Sequence, residues 1–238
     1  KKHTFVSNRS GEYDLYKIDV DGTNEEVLLP ASSKEREVPF VLSHPTKDVV
    51  AYISSRDGDV NSGNFVLDGL FIIDVINGET YKVTRSEQIQ LIGWSDNKLI
   101  YVAVIEGVSA GNSQRSKLIS YDLDTKERVE LASSNYFNDV KLINKTVYFA
   151  VSSYAVPQSQ AKLFSIDTDG KNKKTLVEEQ VWSIIRKDYT NLQFSAVDLR
   201  WYEQEISGEV KKLDVAPVTR TSRSYSVSPS GEKAVWVD

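Results

Sequence analysis

An internal repeat constrains the fold of this 238-residue chain more than any other feature of its sequence. A leucine-led segment of alternating apolar and variable positions, closed by an acidic residue, occurs five times. Its copies are LYKID at 15–19, LFIID at 70–74, LISYD at 118–122, LFSID at 163–167 and LRWYE at 199–203. Alternation with a period of two is typical of a β-strand. A chain that repeats such a strand at a fixed period is expected to fold as an array of similar units.

A turn follows four of the five copies, and a second, more polar alternating segment follows each turn. The turn sequences are DVDGTN, DVINGE, DLDTKE and DTDGKN. Gly and Asx residues supply the positive φ that tight hairpins need, so each copy predicts a two-stranded hairpin.

Another strand with an aromatic residue precedes each hairpin. These aromatic residues are separated by 47, 49, 48, 45 and 42 positions, and they are Phe5, Tyr52, Tyr101, Phe149, Phe194 and Trp236. One strand more precedes most of them. Four strands in about 42 to 49 residues is the content of one blade of a β-propeller, with the strands named a to d from the central channel outward.

The sequence therefore predicts an all-β protein, a single β-propeller domain of four-stranded antiparallel blades. Six blades are favoured, with the last one truncated, and a five-bladed ring is the alternative. The predicted blade segments are approximately 1–30, 38–86, 89–133, 136–178, 181–216 and 222–238.

The repeat resembles that of TolB-like propellers, the PD40-type repeat family. The resemblance rests on FVSNRSGEYDLYKIDVDGTNEEVLL (5–29), SHPTKDVVAYISSRDG (43–58) and SPSGEKAVWV (228–237). GWSDNKLIY (93–101) departs from the pattern because it lacks the proline. The resemblance implies a six-bladed fold and, commonly, an extracytoplasmic protein-binding module. The same repeat also builds the gating propellers of prolyl-oligopeptidase-type peptidases, so the resemblance specifies fold better than function.

Composition excludes several classes of function. With 29 basic and 34 acidic residues, the chain has no basic surface for a phosphate backbone, so nucleic acid is excluded as a partner. The absence of cysteine excludes thiolate catalysis and Cys-type zinc sites, and two histidines, His3 and His44, are too few for a His-rich metal site. No apolar segment is long enough to cross a bilayer. No cofactor is predicted.

Ser109 lies in the sequence GVSAG, which matches the G-x-S-x-G pattern of a hydrolase nucleophile. That elbow needs a strand before the serine and a helix after it. Here the polar segment GNSQRS and another predicted strand follow. We therefore expect a surface loop, and no catalytic residue is predicted.

The segment from 57 to 68 resembles a calcium loop, because it places side-chain oxygens at alternate positions. The candidate ligands are Asp57, Asp59, Asn61 and Asp68. An EF-hand-type loop needs Gly at the sixth position and Glu at the twelfth, whereas Ser62 and Asp68 stand there. A solvated insertion is the preferred interpretation.

Loop lengths indicate one face as a binding surface. The loop from strand b to strand c has about four residues in the first blade and is short near 196–200. It expands to RDGDVNSGNFVLDG, EGVSAGNSQRS and SSYAVPQSQA in the three blades between. Long loops on a rigid scaffold tend to carry binding residues. The predicted partner-binding residues are Asn64, Phe65, Asn112, Gln114, Arg115, Tyr154, Gln158 and Gln160.

The predicted function is a non-catalytic propeller that binds a protein or peptide, periplasmic or on the cell surface. The chain begins KKHTFVSN, already in a strand, as expected if a signal or anchor segment has been removed. Two alternatives stay open. The chain could be the accessory propeller of a peptidase whose catalytic domain lies outside this sequence, or a carbohydrate-binding propeller.

Overall fold

The computed structural model of the chain is built from β-strands, and no helix occurs among the residues it describes. These residues therefore include no helix that could span a membrane. The described residues are 2–34, 39–109, 111–152, 162–177, 181–186, 191–196, 201–205, 210–212, 224–227 and 234–237.

Seven strands form the first two sheets. They are β1 (Lys2–Ser7), β2 (Asp14–Asp19), β3 (Glu26–Leu29), β4 (Phe40–Ser43), β5 (Val49–Ser54), β6 (Asp68–Asp74) and β7 (Thr80–Ser86).

Fourteen further strands are described. They are β8 (Gln88–Ser95), β9 (Lys98–Val104), β10 (Ser116–Asp122), β11 (Arg128–Ser134), β12 (Tyr136–Ile143), β13 (Thr146–Ser152), β14 (Leu163–Asp167), β15 (Lys174–Val177), β16 (Val181–Arg186), β17 (Asn191–Ala196), β18 (Trp201–Glu205), β19 (Val210–Lys212), β20 (Ser224–Val227) and β21 (Ala234–Val237).

Strand order within each sheet follows chain order. Four sheets have four strands: β4 to β7, β8 to β11, β12 to β15, and β16 to β19. The first sheet holds β1 to β3, and β20 pairs with β21. The strand pairs are antiparallel. These sheets confirm the predicted all-β class and its four-stranded antiparallel unit, whereas the number of blades stays a prediction.

The chain divides into two compact units. The first comprises Lys1–Trp94 and Tyr101–Val108, and the second comprises Ser95–Ile100 and Ser109–Asp238. Each has its own apolar core. In the first unit the core includes Leu15, Leu28, Val50, Tyr52, Phe71, Ile73 and Val75. In the second it includes Ile143, Tyr148, Ala150, Leu163 and Val181.

Three of the repeated aromatic residues of strand b are core residues. Tyr52, Tyr101 and Phe149 are among the largest fully buried side chains. The repeat also aligns two of these positions with an aromatic residue on strand c. Tyr52 lies opposite Phe71 with ring centroids 6.2 Å apart, and Phe149 lies opposite Phe164 at 5.4 Å. Aromatic pairs across neighbouring strands stabilise a sheet beyond the area they bury.

The acidic residue that ends strand c caps the turn between strands c and d. In two of these turns an asparagine side chain binds the acid: Asn24 Nδ2 lies 2.7 Å from Asp19 Oδ2, and Asn172 Nδ2 lies 2.7 Å from Asp167 Oδ2. Both asparagines have positive φ, 52° and 54°. The predicted hairpins are present, and the repeated acid stabilises their turns.

The other two turns are capped through the backbone. Asp74 Oδ1 accepts the N–H groups of Ile76 and Asn77, at 2.7 and 3.1 Å. Asp122 Oδ1 accepts the corresponding N–H groups two and three residues on, at 2.9 and 3.0 Å. Both turns close through a left-handed residue, Gly78 at φ 76° and Lys126 at φ 64°. We refer to residues 19–24, 74–79, 122–127 and 167–172 as the c–d turns.

Candidate functional site

The connection from β5 to β6, residues 55–67, is the most elaborate loop of the first unit, and we call it the blade-2 loop. It contains a small hairpin of its own. Val60 and Val66 form an isolated bridge, and the N–H of Asn61 donates to the carbonyl of Phe65 at 2.9 Å. Asn64 turns the chain at φ 61°.

The side chain of Asn61 holds the tip of this hairpin. Its Oδ1 accepts the N–H groups of Gly63 and Phe65, at 2.9 and 3.0 Å. Its Nδ2 donates to Glu87 Oε1 at 3.3 Å. An amide side chain that bonds its own backbone two to four residues on fixes a turn in one conformation. The tip of the blade-2 loop is therefore pre-organised.

The base of the blade-2 loop is attached to the core and to the preceding connection. Leu67 is 1% exposed, and its N–H donates to the carbonyl of Asp59 at 2.8 Å. Ser32 Oγ donates to the carbonyl of Arg56 at 3.1 Å, and Lys34 Nζ donates to that of Asp57 at 3.1 Å. These contacts fix where the loop leaves the sheet.

Ion pairs connect the blade-2 loop to β7. Lys82 Nζ lies 2.5 Å from Asp57 Oδ2 and 3.0 Å from Asp59 Oδ2, and Arg85 lies 3.7 Å from the same Asp59 oxygen. Hydrogen bonds to Asp57 and Asp59 raise the pKa of Lys82, and the bond from Lys82 lowers the pKa of Asp59. Arg85 also lies 3.6 Å from Glu106. The acidic charge of the loop is thus balanced by strand d of the same sheet.

The four candidate calcium ligands have protein partners. Asp57 and Asp59 bind Lys82, and Asn61 Oδ1 accepts two backbone N–H groups. Asp68 Oδ2 accepts the N–H of Ile89 at 3.0 Å. Across the part of the chain that the structure describes, no group of three or more His, Asp or Glu side chains is placed to hold a metal ion.

An exposed aromatic residue occupies the tip of the blade-2 loop. Phe65 is 69% exposed, and Val60 beside it is 46% exposed. The ring of Phe65 lies against the backbone of Gly63, where an added Cβ would come within 3.1 Å of a ring carbon. Glycine at 63 therefore lets the ring cover the loop without a clash, and its outer face is open to solvent.

Of the other predicted partner-binding residues, three lie in the connection between β9 and β10. Asn112 and Gln114 are exposed and Arg115 is half-buried. Asn112 Oδ1 accepts the N–H of Gln114 at 2.8 Å, so this segment is also turned by an amide side chain. The remaining three, Tyr154, Gln158 and Gln160, lie outside the described residues. The structure thus brings Asn64 and Phe65 into one hairpin and places the next three in a separate loop.

Ser109 lies in that same connection between β9 and β10, and its carbonyl accepts the N–H of Asn112 at 3.0 Å. Strand β10 follows, not a helix.

In the first blade the connection from β1 to β2 runs from residue 8 to residue 13, which is longer than the four residues predicted.

Two functional contributions were not predicted from the sequence. Lys82 and Arg85 had no role assigned, although they balance the charge of the blade-2 loop.

The first residue of strand c also reaches the connection after strand d. Asp14 Oδ1 accepts the N–H of Ala31 at 2.6 Å, and Ser116 Oγ donates to the carbonyl of Asn135 at 3.0 Å. A polar residue one or two positions before the leucine-led segment was the available indication.

Solved structures with similar folds include enzymes, protease domains and TolB proteins. A manganese complex of oligogalacturonate lyase aligns at 14% identity over 98% of this chain and 66% of that one, with a TM-score of 0.65. The β-propeller domain of the trilobed protease from Pyrococcus furiosus aligns at 11% over 89% and 66%, with a TM-score of 0.59. TolB from Acinetobacter baumannii aligns at 11% over 90% and 52%, with a TM-score of 0.51.

These likenesses support a propeller module of the TolB-like kind, and at such identities they show the fold alone. No protein-family model matches the sequence, and no curated protein sequence matches it. The chain spans less than two thirds of the length of each of the three structures compared.

The sequence-based prediction that the chain is not an enzyme is wrong. It treated this repeat as a binding scaffold, yet oligogalacturonate lyase, an enzyme, has the same fold over 98% of this chain. A fold of this kind is compatible with catalysis and with binding, so it cannot exclude an enzyme.

Proposed function

We propose that the blade-2 loop is a docking site through which this propeller module binds a protein or peptide partner, with Phe65 as the anchor. One observation carries the proposal: an aromatic side chain that is 69% exposed stands on a loop whose backbone is held by Asn61 and by a bridge at its base. Aromatic residues are enriched among the few side chains that dominate binding at protein interfaces.

The rigidity of the blade-2 loop supports the same proposal. Ordering a mobile loop on binding costs free energy, and a loop that already has its bound conformation avoids that cost. The buried Leu67 and the hydrogen bonds of Asn61 hold the backbone that carries Phe65 in one conformation before any partner arrives. The acidic residues near it are already paired with Lys82 and Arg85, so a partner need not neutralise them.

The other predicted partner-binding residues stay proposals. Asn64 belongs to the docking site through its position at the hairpin tip. Asn112, Gln114, Arg115, Tyr154, Gln158 and Gln160 are proposed separately, as partner-binding residues on the grounds of loop length alone. The location proposed for the protein is extracytoplasmic, supported by the likeness to the TolB-type repeat, and fractionation of cells that express the natural protein tests it.

Site-specific photo-cross-linking tests the docking site. Phe65 is replaced with benzoylphenylalanine in the natural protein, and cells are irradiated. Ile76 in the c–d turn of the same sheet is the matched control, because it is 60% exposed and equally apolar. We expect a discrete adduct from position 65 and none from position 76.

The adduct is then identified and its binding measured with purified protein. We expect Phe65→Ala to weaken the affinity for the identified partner at least about tenfold, because an aromatic anchor contributes about 1.4 kcal/mol or more to the binding free energy. Ile76→Ala should leave that affinity unchanged. Equal adducts from both positions, or unchanged affinity in Phe65→Ala, would overturn the proposal.

A further inference from the structure

The connection from β7 to β8 is a single residue, Glu87, and its side chain bonds two different loops. Glu87 Oε1 accepts the N–H of Gly107, in the connection after β9, at 3.3 Å. The same oxygen accepts a hydrogen bond from Nδ2 of Asn61, in the blade-2 loop, also at 3.3 Å. A carboxylate oxygen has lone pairs for two donors. One atom therefore joins the tip of the blade-2 loop to the start of the β9–β10 connection.

The main chain at Glu87 is held by the end of β9. The backbone N–H of Glu87 donates to the carbonyl of Val104 at 3.2 Å, and the hydroxyl of Ser86 donates to the same carbonyl. Glu87 is half-buried. Its carboxylate thus reaches the two loops from a fixed point.

Arg85 forms a second link between the same two loops. Its guanidinium lies 3.7 Å from Asp59 Oδ2 in the blade-2 loop and 3.6 Å from Glu106 Oε2 in the connection after β9. Exposed ion pairs of this length contribute little to stability. The hydrogen bonds of Glu87 are therefore the main connection between the loops.

The equivalent residue of the next sheet is Asn135, which alone separates β11 from β12. Its Nδ2 is buried and has no hydrogen-bond partner in the described part of the chain, so this amide donates to neither neighbouring loop. The residue type at this position, and not the repeat itself, therefore provides the bridge. The bridge belongs to the sheet whose loop carries the exposed Phe65.

We propose that Glu87 is a positioning residue of the docking site. Its oxygen holds the side chain of Asn61, and Asn61 in turn holds the N–H groups of Gly63 and Phe65. One carboxylate thus sets the backbone that carries the Phe65 anchor against Gly107. This inference rests on the proposed function for the use of that backbone, whereas its geometry is testable without a partner.

Amide hydrogen exchange in the full 238-residue chain tests the geometry. We expect Glu87→Ala to speed exchange at Gly63, Phe65 and Gly107 at least about fivefold, because each amide loses its acceptor or the side chain that holds its acceptor. Glu87→Gln keeps an acceptor oxygen and should restore the wild-type rates.

Two controls separate positioning from a general loss of stability. Gln88→Ala changes the exposed neighbour of Glu87 and should leave all three rates unchanged. The amide of Val75, which donates to the carbonyl of Asp48 at 2.9 Å, is the internal reference. It should exchange at the wild-type rate in every variant.

The role in docking is measured with the partner that benzoylphenylalanine captures at position 65. We expect Glu87→Ala to weaken the affinity for that partner about fivefold, because a loop that is not held in advance must be ordered on binding. Glu87→Gln should leave the affinity unchanged.

Three results would overturn the positioning role: unchanged exchange at Gly63 and Phe65 in Glu87→Ala, an equal acceleration at Val75, or exchange in Glu87→Gln as fast as in Glu87→Ala. Unchanged affinity in Glu87→Ala would overturn the role in docking. If position 65 captures no partner, the proposed function fails alone, since the exchange rates decide the role of Glu87 in the free protein.

Discussion

The two ends of β6 use acidic residues in different ways. At its end, Asp74 caps the c–d turn by accepting two backbone N–H groups within three residues. Before its start, Asp57 and Asp59 of the blade-2 loop bind Lys82, which lies on the next strand. The capped turn has a counterpart in three other sheets. Two other b–c connections each carry an ion pair, Arg9 with Glu25 and Glu106 with Arg85, whereas the blade-2 loop sets two of its acids on one lysine.

The comparison shows which part of a repeat is free to vary. A turn closed by its own acid depends on five or six consecutive residues, so it can be copied from blade to blade without changes elsewhere. A long loop whose acids depend on the register of another strand cannot be copied without changes elsewhere, and such a loop can carry a function of its own. The four predictions below test this contrast, from the largest expected effect to the smallest.

The first prediction asks whether the blade-2 loop is part of the folded core. Leu67 is as buried as Leu70 in the centre of β6, at 1% and 0% exposure. We expect Leu67→Ala to lower the free energy of unfolding by about 3 kcal/mol, and Leu70→Ala by a similar amount, because each leaves a cavity. Urea unfolding measures both. A loss of less than about 1 kcal/mol for Leu67→Ala alone would mean that the loop is peripheral.

The second prediction compares capping acids with ion-paired acids. We expect Asp74→Ala and Asp122→Ala each to cost about 1 to 2 kcal/mol, because two backbone N–H groups lose their acceptor. Asp57→Ala should cost less than about 1 kcal/mol, as is usual for an exposed ion pair. The same urea experiment gives all three values. Equal costs would remove the distinction between the two ends of β6.

The third prediction exchanges the left-handed residues of two c–d turns. Lys126 has a positive φ of 64° where the equivalent residue of the preceding sheet is Gly78. A left-handed conformation is unfavourable for any residue with a Cβ. We expect Lys126→Gly to raise the free energy of unfolding by about 0.5 to 1 kcal/mol, and Gly78→Lys to lower it. A melting temperature that falls in Lys126→Gly would contradict this.

The fourth prediction concerns salt and pH. A hydrogen bond from Lys82 lowers the pKa of Asp59, whereas backbone hydrogen bonds, first that of Thr125, lower the pKa of Asp122. Both folded pKa values lie below the ordinary value of 3.8. Each carboxylate therefore stabilises the fold above that pH and loses this contribution as the pH falls through its folded pKa.

Salt should separate these two carboxylates. Screening weakens exposed ion pairs and leaves short backbone hydrogen bonds intact, so 0.5 M NaCl should raise the pKa of Asp59 and leave that of Asp122 in place. Titration of the carboxyl carbon resonances measures both values. An equal rise in the pKa of Asp122 would show that its interaction with the turn is as sensitive to screening as the ion pair of Asp59.

Strand content and turn positions were predictable from the sequence because both depend on neighbouring residues. The alternation in LFIID and the glycine of DVINGE are sufficient for a hairpin, and the structure has one there. The repeated aromatic residues were also informative, since Tyr52 and Phe149 are buried where the period places them.

The ion pairs of the blade-2 loop were not predictable. Lys82 meets Asp57 because it pairs with Phe71 on β6, and this register includes an irregularity between Leu70 and Phe71. A shift of one residue would move Lys82 to the opposite face of the sheet. The spacing of Asp57, Asp59 and Asn61 suggested a metal site for the same reason: the sequence shows the carboxylates and not the cation that faces them.

The capped c–d turns have a consequence for the order in which the chain folds. Each turn brings two strands together across only a few residues, and local closure of this kind takes about 1 to 10 microseconds for a hairpin. The pairing of strand b with strand c across long connections such as the blade-2 loop, and the packing of one sheet on the next, join residues that are further apart, so they form later. The four c–d hairpins are therefore separate starting points for folding, each specified by its own acid.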